Sequence, residues 1–396
     1  MNTQDIRINN MHDIISCLCE SNGMTKKDLA EATHLSFSTV SNFCNQLMEC
    51  GVLYSRKGLS VTVGRMPEHL YIRYDSFLTV CLDLQRQGLM EFAVLNLNDE
   101  VLFCKRYDIS LCNGIREIAQ YAYSVFCQLC SDFPNSQYLG VGVSVSGIFD
   151  KASEKIIGSA IPSMDGAPVK AIIEEIFGMP CYVDNEANLC AIGTYATHAG
   201  EDDLVYMHIS EGLGIGVYTG GKLLSGHNGY GGEIAHIPFG TLGRRCPACG
   251  CVNCVETELS IPWLLQNSVW KMTDAPIMDQ WAQMAEAINR GDPAYDGFLH
   301  DKGVLIGLLF SMLIDIFNPL HVYIGGDITD IFERLRPSVD RCIRSRCLHE
   351  RTTSRSFLVR NNILPILCDQ NSNEHMMLGL SYSMRRRWDP LGNRLV

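Results

Sequence analysis

The segment His236–Glu256 reads HIPFGTLGRRCPACGCVNCVE and gathers one histidine and four cysteines within 19 residues. Its three glycines and two prolines interrupt any regular helix or strand, so the loop needs support from outside itself. Clustered thiolates and an imidazole predict a tetrahedral zinc site with three sulfur ligands and one nitrogen ligand. The Cys-x-x-Cys spacing of Cys246 and Cys249 lets two sulfurs reach one metal ion. The alternative is a set of free buried cysteines.

Two acidic residues bracket this loop. Glu233 lies three residues before His236, and Glu256 lies two residues after Cys254. A metal ion that folds the loop would also fix both carboxylates in space. The sequence therefore predicts that the loop supports a polar binding site.

The length and composition of the chain bound its class. At 396 residues the chain is expected to form two or three domains. A hydrophobic content of 46% and 34 glycines are typical of a soluble α/β protein with many tight turns. The formal charge of −12 argues against a protein that binds nucleic acid or a membrane over its whole surface. A small DNA-binding module is compatible with that charge.

The 18 cysteines are expected to stay reduced. The N-terminal MNTQDIRINNMHD is polar and has no apolar signal core, which predicts a cytoplasmic protein with free thiols. The longest apolar run, Gly303–Phe317, has only 15 residues and contains Asp315. It predicts a buried helix, and no membrane partner is expected.

Residues 24–48 show the pattern of a helix-turn-helix. A first helix is predicted after Thr25, which can cap it with Asp28 in the capping-box position. A second helix is predicted over Ser36–Met48, with an apolar side toward the core and small polar side chains outward. Two short helices joined by a tight turn are typical of DNA-binding modules. The alternative is a helical packing module without a DNA role.

A hairpin is predicted after the second helix. Its strands are Gly51–Tyr54 and Leu59–Val63, with Arg56 and Lys57 at the tip and Arg65 after the second strand. The module is therefore predicted to be winged.

The predicted DNA-binding residues combine polar side chains of the second helix, which can reach base edges and phosphates, with nearby cations. They are Lys26, Lys27, Ser38, Thr39, Ser41, Asn42, Asn45, Arg56, Lys57 and Arg65. Residues 1–66 hold six Lys or Arg and six Asp or Glu, so the module is not basic as a whole. DNA binding would depend on the placement of these cations and on doubling by dimerisation.

Beyond residue 70 the pattern becomes α/β. Phe77–Leu84, Leu89–Leu97 and Glu100–Tyr107 are predicted strands. A strand hairpin of this kind opens the actin-like ATPase and sugar-kinase fold, where a glycine-rich first turn lets backbone N–H groups approach ATP phosphates. Here the turn holds the bulky Gln85 and Arg86. This is evidence against ATP use.

A polar cluster, Asp184–Asn188, follows the predicted strand Pro180–Val183. Ligands of open α/β sheets bind beyond the carboxyl ends of strands, so a binding site is predicted here. The alternative is that Asp184 or Asn185 only caps the next helix, and the two roles are compatible. Farther along, Thr257–Trp270 and Met278–Asn289 are predicted to be helical.

Together these features resemble the ROK family (repressor, open reading frame, kinase) over essentially the whole chain. Gly229–His236 matches the family signature G-x-x-G-E-x-G-H, and Cys249–Glu256 matches C-x-C-G-x-x-G-C-x-E, with Ala235 and Asn253 replacing two glycines. The winged helix and the link Gly64–Pro67 resemble the repressor branch, such as the xylose and N-acetylglucosamine repressors.

The resemblance implies an α/β protein in which a winged helix-turn-helix precedes a two-lobed actin-like ATPase or sugar-kinase fold. The expected domains are residues 1–70 for DNA binding, 71–188 for the N-terminal lobe and 189–396 for the C-terminal lobe with the zinc loop.

The resemblance also implies a structural zinc ion. Its ligands would be His236, Cys246, Cys249 and Cys254. One residue is inserted between the first two cysteines of the signature, so that Cys-x-x-Cys replaces Cys-x-Cys. Cys251 is an additional thiol and is the alternative to Cys246 as a ligand.

In kinase members of the family, an Asn-Asp-x-Asn motif supplies an asparagine that holds the sugar and an aspartate that takes its hydroxyl proton. The matching residues here are Asn185, Glu186 and Asn188. Glutamate moves the carboxylate by about one methylene, although a base must lie within hydrogen-bond reach of its proton. The resemblance therefore implies a sugar that is bound but not phosphorylated. Its hydroxyls would be held by Asn185, Glu186, Glu233, His236 and Glu256.

The sequence thus predicts a sugar-responsive transcriptional regulator, a repressor that binds operator DNA as a homodimer or tetramer. Sugar binding in the cleft is expected to close the two lobes and to move the paired winged helices out of register with two operator half-sites. One alternative is an ATP-dependent sugar kinase with an N-terminal regulatory module. Another is a zinc-structured interaction protein that binds neither sugar nor DNA.

Overall fold

The computed structural model describes residues 3–57, 68–159, 161–197, 203–240, 242–347, 366–390 and 394–395. The chain divides into two compact units. The first unit comprises Met1–Val143, Pro168–Val183 and Leu380–Val396, and the second comprises Ser144–Ala167 and Asp184–Gly379. The division into three domains that the sequence suggests stays a prediction.

The described helices and strands alternate along most of the chain. The helices are α1 (Thr3–Glu20), α2 (Lys26–Thr33), α3 (Phe37–Glu49), α4 (Ile115–Leu129), α5 (Val169–Phe177), α6 (Glu186–Thr197), α7 (Glu256–Leu259), α8 (Ile261–Gln266), α9 (Ile277–Asn289), α10 (Asp296–Phe317), α11 (Phe332–Arg346) and α12 (Ser372–Arg387). The strands are β1 (Met24–Thr25), β2 (Leu53–Lys57), β3 (Glu68–Ile72), β4 (Phe77–Leu84), β5 (Leu89–Asn96), β6 (Val101–Asp108), β7 (Gln137–Val145), β8 (Ile148–Asp150), β9 (Lys155–Ile157), β10 (Cys181–Asn185), β11 (Leu204–Ile209), β12 (Leu213–Thr219), β13 (Lys222–Leu223), β14 (His321–Gly325), β15 (Ile366–Asp369), β16 (Trp388–Asp389) and β17 (Arg394–Leu395).

The predicted helix-turn-helix is confirmed by α2 and α3. The Thr25 side chain accepts the N–H of Asp28, and Asp28 Oδ2 accepts the N–H of Thr25 at 2.9 Å, which completes a capping box. Ser36 caps α3 by accepting the N–H of Thr39 at 3.1 Å. His34 ends α2 in the left-handed region at φ 56°, which makes the turn between the helices tight. The buried side of α3 consists of the predicted residues Val40, Phe43, Cys44 and Leu47.

A three-stranded antiparallel sheet in the order β1-β3-β2 completes the winged module. The first predicted strand of the wing is displaced toward the C-terminus, since β2 spans Leu53–Lys57. The second predicted strand, Leu59–Val63, lies outside the described residues. The strand that pairs with β2 is β3, with Tyr54 opposite Tyr71 and Arg56 opposite His69.

The larger sheet of the first unit has the order β10-β7-β4-β5-β6. The predicted hairpin strands are confirmed, because β4 and β5 pair antiparallel, and β6 pairs antiparallel with β5. The turn between β5 and β6 places Asp99 at φ 59°, a conformation that aspartate tolerates better than most residues. Gly178 ends α5 at φ 64°, where a residue with a Cβ would be strained.

The second unit is built on a sheet in the order β13-β12-β11-β14-β15. β11 pairs antiparallel with β12 and parallel with β14, and β14 pairs parallel with β15. The carboxyl ends of the three parallel strands therefore lie at one edge, with the start of β12 beside them. This edge is the position at which open α/β sheets bind ligands.

The predicted buried helix over Gly303–Phe317 is the C-terminal part of α10. The helix begins earlier, at Asp296, and its apolar side chains belong to the core of the second unit with Trp281 and Phe332. The segment Pro293–Phe317 is long and apolar enough to cross a membrane by length and composition, but 56% of its most apolar window is buried within the protein. Its apolarity is explained by this packing.

The segment Thr257–Trp270, which is predicted to be helical, is helical up to Gln266. The segment forms two short helices, α7 and α8, with Ser260 extended between them at φ −69° and ψ 151°. Pro262 lies in the first turn of α8. A proline has no N–H to donate to the carbonyl four residues earlier, so a continuous helix would lose a hydrogen bond there.

The C-terminal end of the first unit contributes to the core of the winged module. Trp388 is fully buried beside Met11, Ile14 and Leu18 of α1, and its ring centroid lies 4.6 Å from that of Phe77. The carbonyl of Trp388 lies 2.8 Å from Nε2 of His12, which is 2% exposed. Burial, with a smaller contribution from Arg386, lowers the pKa of His12 to about 4. The neutral ring can donate its Nε2–H to this carbonyl.

We expect the stability of the first unit to fall as the pH is lowered from about 6.5 to about 4. The unfolded His12 has an ordinary pKa of about 6.5, so the unfolded state binds more protons over this range and unfolding is favoured. The loss attributable to His12 is at most about 3 kcal/mol, and it is fully developed only below the folded pKa. The measurement is thermal unfolding of wild type and His12→Gln between pH 7 and pH 4.

The glutamine side chain of this variant keeps an amide donor for the Trp388 carbonyl but does not titrate. We expect the two proteins to melt similarly at pH 7 and the wild type to lose more stability on acidification. Parallel pH profiles for the two proteins would contradict the assignment.

Candidate functional site

Several residues that are predicted to bind DNA are hydrogen-bonded to one another. Lys26 Nζ donates to Asn45 Oδ1 at 2.7 Å and to Ser41 Oγ at 3.4 Å, which links the start of α2 to the polar side of α3. Asn42 is exposed on the same helix. Lys27 is exposed, and its Nζ lies 3.8 Å from Oε1 of Glu31. The helix therefore presents a polar side that is ordered before any DNA binds.

The first turn of α3 is held by Ser36. Its Oγ lies 2.9 Å from Ser38 Oγ and 2.8 Å from Thr39 Oγ1. Phe37, the first residue of α3, is 58% exposed although it is aromatic. An exposed aromatic ring beside hydroxyl groups suits contact with bases, where thymine methyl groups are available.

The predicted cations of the wing have different environments. Arg56 and Lys57 are exposed at the end of β2. The guanidinium of Arg56 lies 5.2 Å from the ring centroid of Tyr54 and 5.5 Å from that of Tyr71. Arg65, the last predicted cation, lies outside the described residues.

Four side chains of the His236–Glu256 loop converge on one point. The ligand atoms of His236, Cys246, Cys249 and Cys254 all lie within 4.8 Å of one another. Nδ1 of His236 is 3.7 Å from Sγ of Cys246, and Sγ of Cys249 is 3.4 Å from Sγ of Cys254. This His/Cys cluster can hold a metal ion. It is the only group of this kind among the described residues.

A short turn presents the two cysteines of the Cys-x-x-Cys pair. The N–H of Gly250 donates to the Cys246 carbonyl at 2.9 Å, and Gly250 adopts φ 72° to close the turn. The N–H of Cys246 donates to the Cys251 carbonyl at 2.8 Å, and isolated bridges join Arg245 to Val252 and Pro238 to Cys254. Cys251 is exposed and is not in the cluster.

The two signature glycines that are replaced here have different environments. Asn253 is in the left-handed region at φ 65°, where asparagine is one of the better-tolerated residues, and its Oδ1 accepts the N–H of Gly243 at 2.7 Å. Ala235 is 2% exposed and packs in the core of the second unit. The loop therefore keeps a glycine-like backbone at position 253, and a methyl group fits at position 235.

The chemistry of the donor set fits a metal ion. Three sulfurs and one imidazole nitrogen match the ligand set of tetrahedral structural zinc sites. Burial lowers the pKa of His236, which favours the neutral ring that a metal requires. Cys249 is exposed, so burial of its side chain in an apolar core does not explain its place beside the other three ligands. The residues present therefore fit zinc.

Asn185 and Glu186 lie where β10 ends and α6 begins. Asn185 Oδ1 accepts the N–H of Asn188 at 2.9 Å, so Asn185 caps α6. Asn188 Nδ2 donates to Asp184 Oδ1 at 2.8 Å, which ties the cluster together. The capping role that the sequence left open is therefore observed. It does not compete with ligand binding, because an asparagine amide also has an NH₂ group.

Glu233 and Glu256 meet near the start of β12. Glu256 Oε2 accepts the N–H of Leu213 at 3.1 Å. Gly232, the residue before Glu233, adopts φ 95° and lies close to β12. A Cβ atom added to Gly232 would lie 2.5 Å from the carbonyl oxygen of Ile215, so only glycine fits at this position. Burial raises the pKa of each carboxyl group to about 7. For Glu256 the neighbouring Glu233 adds to this shift, and the N–H of Leu213 opposes it.

The same end of the β11–β12 hairpin receives Glu186. Its Oε1 lies 2.9 Å from Nε2 of His208, which is 4% exposed and pairs with Gly214 across the hairpin. A Cβ on Gly214 would lie 2.9 Å from Cβ of Ala187, so the first turn of α6 packs directly against the start of β12. The structure thus brings Glu186, Glu233 and Glu256 to one end of this hairpin. Asn185 directly precedes Glu186, and His236 lies three residues after Glu233.

His208 was missed by sequence reasoning, together with two acidic neighbours. Burial lowers the pKa of His208, but the charges of Glu186, Asp327 and Asp369 outweigh burial and the net pKa lies above its ordinary value. Asp369 accepts hydrogen bonds from Tyr206 and from His375, the latter at 2.8 Å. These residues end or follow β11, β14 and β15. Polar residues at the ends of several parallel strands were the available signal.

A buried ion pair attaches the loop His236–Glu256 to the core of the second unit. Lys302 Nζ of α10 lies 2.6 Å from Glu258 Oε2, and the two side chains are 10% and 5% exposed. The other oxygen of Glu258 accepts the N–H of Leu242 at 3.3 Å, within the loop. The carboxylate therefore joins the long core helix to the segment between His236 and Cys246.

The winged module and the larger domain match known protein families. The ROK family matches residues 80–365, which is most of the chain. The chain belongs to the ROK family. A winged helix-turn-helix DNA-binding domain matches residues 10–54, which include α2 and α3.

Known transcriptional regulators match most of this chain. A xylose repressor of Caldicellulosiruptor bescii is 22% identical over 347 residues, which cover 83% of this ROK chain and 86% of the relative. The DNA-binding transcriptional dual regulator NagC of Escherichia coli is 24% identical, with 82% of each protein covered. The crystal structure of a ROK family transcriptional regulator, a homologue of E. coli MLC protein, matches with a TM-score of 0.79 at 20% identity and covers 98% of both chains. ROK hexokinase and glucokinase structures match with lower TM-scores.

We expect Cys246→Ser to lose most of the bound metal and Cys251→Ser to retain it. Serine is a poor ligand for a metal that prefers thiolate, and Cys246 is inside the cluster whereas Cys251 is outside. The measurement is metal content by atomic emission after dialysis, with about one ion per wild-type chain expected. If Cys251→Ser lost the metal and Cys246→Ser kept it, the ligand set would be His236, Cys249, Cys251 and Cys254.

We expect Lys302→Met to destabilise the second unit by about 3–5 kcal/mol, because it leaves the Glu258 carboxylate buried without its cation. The Lys302→Met, Glu258→Met double variant removes both charges and should recover much of that loss. Denaturant unfolding, followed by the fluorescence of the buried Trp281, measures both. Equal losses in the single and double variants would mean that packing, and not the ion pair, determines the effect.

Proposed function

We propose that this ROK protein is a sugar-responsive transcriptional regulator, acting as a repressor of carbohydrate utilisation. It binds operator DNA through α2, α3 and the wing. It binds a sugar at the end of the β11–β12 hairpin against which the first turn of α6 packs. One observation supports the proposal, namely that two parts occur in the same chain. The first part is a helix-turn-helix whose α3 has a polar side. The second part is the pair of buried carboxyl groups, Glu233 and Glu256, beside the His/Cys cluster. A repressor of this class needs both parts.

The carboxyl groups of Glu233 and Glu256 suit a polyhydroxylated ligand. Among the described residues, no lysine or arginine lies within 4.0 Å of either group, so neither is neutralised by an ion pair. A sugar hydroxyl can donate to a carboxylate, and one carboxylate can bridge two adjacent hydroxyls. Asn185 and Glu186 would add an amide and a third carboxylate.

We infer that the metal is a structural zinc ion held by His236, Cys246, Cys249 and Cys254. When bound, zinc supplies a rigid tetrahedral crosslink between the start and the end of the loop. Nδ1 of His236 faces the sulfurs, so its other ring nitrogen keeps an N–H that can be offered to the sugar. The loop residues thereby hold Glu256 and the N-terminus of α7 in place. Cys251 is left as an exposed thiol.

We propose that phosphoryl transfer is absent. Glu186 replaces the aspartate of the kinase motif, and its carboxylate is held by His208 at 2.9 Å. In the turn after β4, the N–H of Gln85 donates to Asp83 Oδ1 at 3.1 Å and is not available to a phosphate. Gln85 and Arg86 also add bulk where kinases have glycine. A sugar kinase with an N-terminal regulatory module is the alternative, because kinase structures share the fold.

A homodimer or tetramer in the cytoplasm fits this function. The residues 1–66 carry equal numbers of acidic and basic side chains, so one winged module would bind DNA weakly. Two modules on two half-sites of a palindromic operator combine their contacts. A sugar releases DNA only if it binds more tightly to the state with low DNA affinity. The same linkage would make a sugar that prefers the other state a corepressor.

We expect one sugar from a panel of pentoses, hexoses and aminosugars to raise the melting temperature. At a sugar concentration one hundred times its Kd, binding should increase the free energy of unfolding by about 2.7 kcal/mol. The Glu233→Gln and Glu256→Gln variants should lose this shift and the sugar-dependent release of DNA. They should keep DNA binding, because both residues belong to the second unit. DNA binding is measured by fluorescence anisotropy on a site selected from random duplexes.

Glu286→Gln is the matched control, since it removes an exposed carboxylate of α9 in the same unit. A sugar response that survived in both site variants would place the sugar elsewhere. The same panel is tested for ADP release in the presence of ATP and Mg²⁺. Turnover at about 1–100 per second would make the protein a kinase and overturn the proposal.

A further inference from the structure

The thiol of Cys251 lies beside the His/Cys cluster without belonging to it. Its side chain is exposed and donates a hydrogen bond to the sulfur of Cys249, which is exposed as well. Cys246 and Cys254, the other two cysteines of the cluster, are buried. The exposed edge of the cluster therefore presents two neighbouring sulfurs, of which Cys249 alone is an expected metal ligand.

Gly250 separates these two cysteines and bends the chain between them. It adopts φ 72°, and its N–H donates to the Cys246 carbonyl at 2.9 Å. The N–H of Cys246 donates to the Cys251 carbonyl at 2.8 Å, so both ends of the bend are fixed. Residues on either side of one glycine have Cα atoms at most roughly 7 Å apart, and a bend shortens that distance. Because disulfide-bonded cysteines usually have Cα atoms about 4.4–6.8 Å apart, the spacing permits a disulfide.

The surroundings of the pair are open to a small oxidant. A Cβ atom added to Gly250 would meet no atom within 4 Å, so there is free space beside the bend. The side chain of Arg245 donates to the Gly250 carbonyl, and its positive charge acts on the Cys251 thiol. Exposed cysteines close to a cation are typical of reactive sites.

The other exposed cysteines, Cys104 and Cys127, have partners of a different kind. Cys104 on β6 donates to the Glu91 carboxylate at 3.5 Å, and Cys127 on α4 accepts a hydrogen bond from Tyr123. A neighbouring carboxylate disfavours a thiolate, and a phenol cannot form a disulfide. The pair of Cys249 and Cys251 differs because a second thiol is in place to react with the first after its oxidation.

We propose that Cys249 and Cys251 form an oxidation site, at which a hydroperoxide closes a disulfide and removes one ligand from the metal. A cysteine that binds a metal is a thiolate, which is the nucleophilic form. The Cys249 sulfur attacks the peroxide, so that an S–O bond forms, the O–O bond breaks, and the departing alkoxide or hydroxide takes a proton from water. The product is a sulfenic acid on Cys249.

The Cys251 sulfur then attacks the Cys249 sulfur. The S–S bond forms, the S–O bond breaks, and the departing hydroxide takes the Cys251 proton to become water. The two sulfurs together lose two electrons, and the peroxide gains them. Hydrogen peroxide thus gives two waters, and an organic hydroperoxide gives one water and one alcohol.

The disulfide would weaken the metal site and be reversible. A disulfide sulfur carries no charge and does not replace a thiolate ligand, so that only His236, Cys246 and Cys254 would remain for a metal that structural sites hold with four ligands. Glu256 lies two residues after Cys254, so it would lose part of its support. Exposed disulfides are the labile ones, and thiols reduce them readily. This oxidation site rests on the structural zinc ion proposed above.

The test treats zinc-loaded wild type, Cys251→Ser and Cys127→Ser with hydrogen peroxide at the same dose. A colorimetric chelator measures the released zinc, and the remaining free thiols are alkylated before digestion. Trypsin cuts after Arg245 and Lys271, so one peptide holds all four cysteines of the loop, and tandem mass spectrometry identifies the two that are joined. The wild type should release its zinc and show a disulfide between Cys249 and Cys251, with Cys246 and Cys254 alkylated. Dithiothreitol with added zinc should restore the starting state.

Cys251→Ser should release its zinc severalfold more slowly than the wild type, because serine cannot close the disulfide and Cys251 is outside the cluster. Cys127→Ser is the matched control, since it removes an exposed thiol of the first unit, and it should behave as the wild type does. Equal release from the wild type and Cys251→Ser, or a disulfide between any other two cysteines, would overturn the proposal. If the untreated wild type held no zinc, the zinc assignment itself would fail, and the mapped disulfide would still decide whether Cys249 and Cys251 are the oxidised pair.

Discussion

The convergence of four ligand atoms within 4.8 Å is the constraint on which the binding site depends. The loop from His236 to Cys254 contains exposed residues, tight turns and isolated bridges, and Ile237 and Phe239 pack against the core of the second unit. A crosslink between an imidazole at its start and sulfurs at its end removes most of the freedom of the intervening chain. Because Glu233 and Glu256 lie just outside the two ends, a bound metal ion would also fix the distance between the two carboxyl groups that we propose bind one ligand.

The protein holds that loop at a second point by electrostatics. Glu258 lies two residues after Glu256, and its ion pair with Lys302 connects the end of the loop to the longest helix in the core of the second unit. A buried ion pair is a poor source of stability, since desolvation offsets most of the attraction. It is directional, however, and it allows one arrangement of α7 where a hydrophobic contact would allow several. The site is thus supported by geometry more than by buried area.

Much of the fold could be predicted because its signals are local. The capping box of α2, the strand periods and the left-handed residue after α5 depend on neighbours in sequence. The split between α7 and α8 was missed because helical periodicity continues through Pro262, and only the lost N–H decides the break. The cluster of His236, Cys246, Cys249 and Cys254 followed from spacing and resemblance. His208 was missed although it lies near the end of a predicted strand, because its role depends on Glu186, 22 residues away in sequence and on a different element.

The charge of the winged module shows why composition is a weak guide to DNA binding. Equal numbers of acidic and basic residues suggest a surface with no preference for an anion. In the structure, Arg7, Arg106, Arg116 and Arg385 of the first unit are held by carboxylates. Arg56 and Arg73 on the wing lie against tyrosine rings instead. An ion pair cancels a charge, whereas an aromatic face positions a guanidinium and leaves its charge and donors available. A neutral composition can therefore present a cationic surface, provided that the anions are kept away from it. On the wing, Tyr54 lies opposite Tyr71, and both rings contact Arg56.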